Sequence, residues 1–228
     1  MSHNSRNITK RENQRRVLNK FIDRPVKYLV KHNINPDILS YIGFLFSLAT
    51  AICLAFDGLH FHFAIAWITP FLFFWAGALD VFDGEVARRT NTNTTRGAFL
   101  DSNLDRLSDS LIIIALILGN YINYLLGCII LFLIIMIPYI RAKAESQGVD
   151  MRGVGIMERG ERLIVLWFGL VAEIELYFFI NLFFGTPPTW FFPIFIGVFT
   201  LLLAFTVIQR LVFSFIALRK LDAQNQTL

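Results

Sequence analysis

Apolar residues run through this chain in long stretches broken by short polar connections. A spanning helix needs roughly 20 apolar residues. Six stretches reach that length: about 37–57, 60–88, 97–121, 123–147, 160–184 and 188–219. The pattern predicts one all-α, polytopic membrane domain of six transmembrane helices over residues 33–221. Residues 1–14 are polar and read as a disordered N-terminus, and residues 222–228 as a polar C-terminal tail. Residues 15–32 are amphipathic: Leu18, Phe21, Ile22, Val26 and Leu29 recur at helical spacing, with Arg15, Arg16, Lys20, Arg24 and Lys27 around them. That pattern predicts a helix lying in the membrane interface, which Pro25 should kink or interrupt.

Asn35-Pro36-Asp37 opens the first span, with proline at an early helical position. Within that span Gly43, Ser47 and Ala51 repeat every four residues, a small-residue stripe that permits close helix contact.

Composition agrees with the pattern. Of 228 residues 55% are hydrophobic and 17% charged, too apolar for an ordinary soluble domain. The net charge of +4 is unevenly placed: all 21 lysines and arginines fall within 6–31, 88–106, 141–162 and 210–220. By the positive-inside rule, both termini and the 89–96 and 148–156 connections are expected in the cytoplasm. The basic clusters suit anionic lipid headgroups, and no nucleic-acid partner is expected. Cys53 and Cys128 lie in separate apolar spans and read as packing residues, not a disulfide. The first apolar stretch starts late and lacks a small-residue cleavage site, so no signal peptide is expected.

Against this background four aspartates are out of place. Asp80, Asp83, Asp101 and Asp105 lie on two apolar stretches joined by Arg89 to Arg96. A carboxylate in or near a bilayer costs several kcal/mol unless it is neutralised. Close carboxylates also repel by about 4 kcal/mol per pair at an effective dielectric near 20. Two divalent cations, Mg²⁺ or Mn²⁺, would cancel four negative charges, and paired dications point to phosphoryl transfer.

The spacing gives the acids a shared face. Asp80, Asp83, Gly84 and Ala87 stand at i, i+3, i+4 and i+7 on one helix, and Gly97, Asp101 and Asp105 at four-residue spacing on the next. Gly84, Ala87 and Gly97 leave a slot beside the carboxylates that a flat base or ribose can enter. Arg88 can pair with a phosphate or with a carboxylate. Asp109 continues the second stripe by one turn and is not expected to be a metal ligand.

The run Asp80-x-x-Asp83-Gly84-x-x-Ala87-Arg88, eight residues, Gly97, three residues, Asp101, three residues, Asp105 resembles the CDP-alcohol phosphotransferase signature at every defining position. That family also has six membrane helices. The resemblance implies that an acceptor hydroxyl attacks the β-phosphorus of a CDP-linked alcohol and CMP leaves. It implies that Asp80, Asp83 and Asp101 hold one metal, and Asp80, Asp101 and Asp105 the second. Asp105 would also be the catalytic base, and Asp80, Asp83, Gly84, Ala87, Arg88 and Gly97 would border the nucleotide.

A second basic group suggests an anionic acceptor. The segments Tyr139 to Glu145, Glu158 to Leu163 and Gln209-Arg210 look like the family branch that makes phosphatidylinositol phosphate or archaetidylinositol phosphate. Gly160 stands where the bacterial form usually has proline. By that resemblance Arg141 or Lys143, Arg159, Arg162 and Arg210 would bind the phosphate of inositol phosphate. The donor would be CDP-diacylglycerol or CDP-archaeol. Dimerisation is common in the family, so a homodimer is a further expectation. Competing readings are the same reaction with glycerol 3-phosphate, serine or another alcohol, and a divalent-cation transporter. Transport would favour polar residues continuing across the membrane, whereas 70–79 and 111–119 are apolar.

Overall fold

Long apolar runs have one economical solution in a bilayer, because helices satisfy every backbone hydrogen bond internally. A computed structural model of the chain describes residues 22–92 and 94–225. Among those residues the regular structure is entirely helical. The expectations of a disordered 1–14 segment, of a helix over 15–21 and of a polar tail at 226–228 fall outside the described residues.

The helices are α1 (residues 22–31), α2 (Pro36–Ala55), α3 (Phe63–Ala66), α4 (Ile68–Thr90), α5 (Thr95–Leu118), α6 (Tyr124–Glu145), α7 (Arg159–Phe184) and α8 (Phe191–Asn225). Five segments are long and apolar enough to cross a membrane: Pro36–Ala55, Phe63–Thr90, Tyr124–Glu145, Arg159–Phe184 and Phe191–Gln224. The protein is thus a multi-pass membrane protein. The count differs from the six apolar spans expected. The sixth is α5, which has 24 residues but carries Asp101, Asp105, Arg106 and Asp109 along its first two-thirds. At 1.5 Å per residue it is about 36 Å long, so its acids, not its length, lower its apolarity.

Helix ends follow their sequence signals. Pro36 is the first residue of α2, and Asn35 Oδ1 accepts the Asp37 N–H at 2.9 Å. Asn123 caps α6 by accepting the Leu126 N–H at 2.8 Å. Gly185 closes α7 at φ 70°, a left-handed C-cap. The second expected span is divided at Trp67 into α3 and α4, and α8 runs past 219 to Asn225. Pro25 lies in the first turn of the described helix, where a missing N–H is tolerated, and the interruption expected there concerns residues before 22, outside the described ones. Ile22 and Val26 are buried with Leu39 and Val86.

The chain divides into two compact units, 1–46 with 75–107 and 47–74 with 108–228. The first unit has the small core around Val26, Leu39 and Val86. In it Gly43 faces Leu79 and Ala76, where an added Cβ would make ordinary contacts of 3.4 and 3.5 Å. The second unit holds the main core, including Leu54, Leu116, Ile130, Leu170, Ile196 and Leu203. There α6 and α7 both pack on α8. Many large apolar side chains remain outward, among them Phe71, Phe132, Phe168, Leu201 and Phe215. Apolar exteriors of this kind are what acyl chains solvate. Cys53 and Cys128 are free thiols.

Candidate active site

The polar run after α4 makes a tight reversal. Asn91 adopts φ 53°, a left-handed conformation that asparagine tolerates. The Thr92 N–H reaches the Ala87 carbonyl at 3.1 Å and the Asn91 N–H the Arg88 carbonyl at 3.4 Å, which terminates the helix. Thr94 then starts α5, its Oγ1 accepting the Gly97 N–H at 3.0 Å. Four-residue spacing on α5 and the facing turn of α4 bring three acids together. One carboxylate oxygen from each of Asp80, Asp101 and Asp105 lies within 4.8 Å of the other two. Among the described residues this is the group with the spacing of a metal site. A set of carboxylate oxygens is the donor chemistry that hard cations such as Mg²⁺ and Mn²⁺ take.

Asp83, the fourth acid, stands outside that close trio. It is buried, and Ser40 on α2 donates to its Oδ2 at 2.6 Å. A cavity of about 740 Å³ opens in the same unit, within the size range of small-molecule sites. Asp83, Gly84, Ala87, Arg88, Gly97 and Asp101 line it from α4 and α5, and Asn35, Pro36, Asp37 and Ser40 from the start of α2. Five of the six residues expected to border the nucleotide therefore share one cavity, while Asp80 contributes to the carboxylate trio. Asp101 belongs to both. The two glycines keep the walls thin. A Cβ at Gly97 would come 3.1 Å from Thr94 Oγ1 and 3.5 Å from Asp37 Oδ1, and one at Gly84 would lie 3.5 Å from the Arg88 guanidinium.

Glu85 organises the arginines at the end of α4. Arg88 Nη2 donates to Glu85 Oε2 at 2.8 Å and Arg89 Nε to Oε1 at 2.9 Å. Arg89 also donates to Asp23 on α1 at 2.8 Å. Hydrogen bonds from Lys27 and Arg89 hold the Asp23 carboxyl below its ordinary range. Arg88 stays largely exposed at 62%, within reach of the cavity it lines. Sequence reasoning missed Ser40, Glu85 and Asp23. Ser40 shares the first span with Ser47 and Thr50, so its hydroxyl alone did not single it out.

In the second unit four of the basic residues expected at the acceptor, Arg141, Arg159, Arg162 and Arg210, have protein partners. Arg162 Nη2 donates to the buried Asp109 at 2.9 Å, and Arg159 Nε lies 3.8 Å from the other oxygen of that carboxylate. Arg210 is buried, its Nε and Nη1 donating to the Val154 and Ile137 carbonyls at 2.9 and 2.8 Å. Arg141 pairs with Glu145 at 2.9 Å, and Lys143 is exposed. Elsewhere in this unit His60 Nδ1 is 2.9 Å from Asp57 and its Nε2 2.9 Å from buried Glu173, with the ring stacked on Tyr177.

The CDP-alcohol phosphatidyltransferase family matches residues 33–218. The chain belongs to that family. The family match contains both units' functional groups, from the start of α2 to the arginine of α8. An archaetidylinositol phosphate synthase of Methanothermobacter thermautotrophicus is 41% identical over 138 residues, which is 60% of this chain and 65% of that protein. A phosphatidylinositol phosphate synthase of Cutibacterium acnes is 33% identical over 194 residues, 81% of this chain and 87% of that protein. The fold is similar to that of the Mycobacterium tuberculosis phosphatidylinositol phosphate synthase. Its structure with CDP-DAG bound gives a TM-score of 0.63 at 25% identity, covering 84% of this chain and 92% of that one. Its complex with manganese and citrate gives 0.64 at 25% identity, covering 84% and 88%. In this family member the carboxylate trio is Asp80, Asp101 and Asp105, and Asp83, Gly84, Ala87, Arg88, Gly97 and Asp101 are among the residues lining the cavity.

Proposed function

We propose that the protein transfers a phosphatidyl-type group from a CDP-linked lipid to inositol 1-phosphate, releasing CMP. One observation carries the reading: Asp101 belongs at once to a metal-spaced carboxylate trio and to a cavity large enough for a nucleotide head. The similarity to synthases named for phosphatidylinositol phosphate and archaetidylinositol phosphate supports the acceptor. Those relatives differ in lipid tail, so the donor is CDP-diacylglycerol or CDP-archaeol and the shared element is the inositol phosphate head.

Asp80, Asp101 and Asp105 would hold one divalent cation, and Asp83 with Asp80 and Asp101 a second. When bound, Mg²⁺ or Mn²⁺ supplies Lewis-acid stabilisation of charge on the pyrophosphate oxygens. Gly84, Ala87 and Gly97 admit the cytidine moiety because they add little or no side chain. Arg88, fixed by Glu85, is placed to meet a phosphate. Ser40 orients Asp83 by donating to one of its oxygens, which leaves the other for a ligand. Asp105 accepts the proton of the attacking acceptor hydroxyl, whose high pKa makes a nearby base useful. The P–O bond to CMP breaks as the bond to the acceptor oxygen forms. Arg141 or Lys143, Arg159, Arg162 and Arg210 would bind the acceptor phosphate.

The protein is placed in the cell membrane with both termini and the catalytic end facing the cytoplasm, which the distribution of lysine and arginine supports. The homodimer implied by the family likeness is part of the proposal, and its mass in detergent tests it. The reaction itself is tested by incubating purified protein with CDP-lipid, labelled inositol 1-phosphate and Mg²⁺. CMP and a labelled lipid phosphate are expected. No CMP release with any polyol phosphate would overturn the reading.

A further inference from the structure

We propose that Asp109 is a positioning residue for the acceptor, holding Arg159 and Arg162 so that the pair meets the acceptor phosphate in one fixed arrangement. The proposal rests on the reading that the acceptor is a phosphate ester. Asp109 was set aside as a ligand by its position on α5, and the signature does not include it.

The geometry assigns it a different task. Each of its oxygens faces one arginine, Oδ2 at 2.9 Å from Arg162 Nη2 and Oδ1 at 3.8 Å from Arg159 Nε. Arg159 and Arg162 stand at i and i+3 in the first turn of α7, so they share a face. That is a poor place for two cations, because the N-terminal end of a helix dipole is itself positive. A carboxylate between them offsets both costs. The side chains of Asp109 and Arg162 are each only 6% exposed, so the pair interacts in a low-dielectric setting where removing one partner is severe.

Packing removes the alternatives. The space beside Asp109 and Arg162 is about 20 Å³, room for about one water, and its walls include Phe73, Ile112, Leu166 and Phe199. That space is too small for Arg162 to swing into, and the Asp109 carboxylate is one of the groups that holds its orientation. Asp109 offsets only part of the positive charge of the two guanidinium groups, and positive charge is the sign a phosphate ester needs. The group thus presents charge without presenting a loose pair of side chains, and an anion meeting it loses less ordering entropy on binding.

The test is steady-state kinetics on the purified full chain, varying inositol 1-phosphate at saturating CDP-lipid and then the reverse. Asp109→Asn, which keeps the shape and removes the charge, is expected to raise the acceptor KM by about tenfold or more, as for loss of a charge-assisted hydrogen bond. The donor KM is expected to stay within about twofold, since the carboxylate's partners are assigned to the acceptor. Asp109→Glu keeps the charge and is expected to recover most of the acceptor KM. Should Asp109→Asn not fold, Asp109→Glu alone decides: the moved charge should raise acceptor KM by about threefold with donor KM unchanged. Equal changes in both KM values, or a lower thermal midpoint with neither KM changed, would show a purely structural ion pair and overturn the proposal. Wild-type protein active only with neutral alcohols would overturn the phosphate-ester reading, and this assignment with it.

Discussion

The two units gather polar side chains in opposite ways. In the first, Asp80, Asp101 and Asp105 bring three like charges within 4.8 Å. In the second, Asp109 sits against Arg162 and Arg159, and His60 between Asp57 and Glu173. In a mixed cluster opposite charges attract and hold side chains in place. A like-charged cluster is arranged for something that arrives, because its members repel until a cation joins them. The same polar atoms in an apolar protein thus serve positioning in one unit and capture in the other, and removing a member should have opposite consequences for stability.

The largest effect should come from Asp101, the residue common to the trio and the cavity. Asp101→Asn is expected to lower CMP release by about a thousandfold or more, since a group acting on developing charge is lost. Its thermal midpoint in chelator should equal or exceed that of wild type, because one repelling charge has gone. A clear fall in that midpoint would mean the trio is structural, and the contrast between the units would collapse.

Metal removal sharpens the same contrast. Chelation should abolish CMP release, and added Mg²⁺ or Mn²⁺ should restore it. At a hundred times its dissociation constant, one bound cation adds about 2.7 kcal/mol to wild-type stability. Asp101→Asn should lose most of that increment when thermal midpoints are compared with and without cation. An equal increment in both proteins would place the cation elsewhere.

What the sequence made legible was local. The spacing of Asp101 and Asp105 fixes one helix face whatever the chain does elsewhere, and Pro36 marks a helix start without knowledge of neighbours. The reversal between Arg88 and Gly97 was readable from its polar run, although its left-handed Asn91 was not. Partners distant in sequence were invisible. Ser40 and Asp83 are 43 residues apart, and Asp109 and Arg162 are 53 apart. Nothing local marks a serine or an aspartate as meeting such a partner. The six-span count is not confirmed for a related reason: the acids of α5 leave it less apolar than the five helices long and apolar enough to cross a membrane. Arg159 and Arg162 were read as acceptor ligands by resemblance to a family branch, while Asp109, read as continuing the α5 stripe, was not linked to them.

A smaller effect, on stability alone, should follow from the mixed His60 cluster. Glu173 is only 3% exposed, and its Oε1 lies 2.9 Å from His60 Nε2. Glu173→Ala leaves His60 without that partner and is expected to destabilise by about 1–3 kcal/mol, the cost of an orphaned buried polar group. CMP release measured well below the midpoint should be unchanged. Raised stability would mean this cluster is strained like the aspartate trio and would erase the distinction.

The smallest effect belongs to an ion pair that the comparison excludes. Asp150 accepts three hydrogen bonds from the Arg152 guanidinium at 2.6–3.0 Å, yet the pair is exposed in the loop before α7. Those bonds, with the Arg152 backbone N–H, hold its carboxyl down at about 2. A depressed carboxyl contributes stability that is fully present above its unfolded value near 4 and is lost as pH falls through the folded value near 2. Solvent screens such a pair, so Asp150→Asn should leave the thermal midpoint at neutral pH unchanged within error. Only between about pH 4 and 2 should the wild-type and variant midpoints converge, if any difference exists to lose. A neutral-pH loss comparable to that of Glu173→Ala would mean that exposure does not separate structural charge from decoration in this protein. Burial, the criterion by which Asp109 was assigned a role and Asp150 was not, would then fail for both.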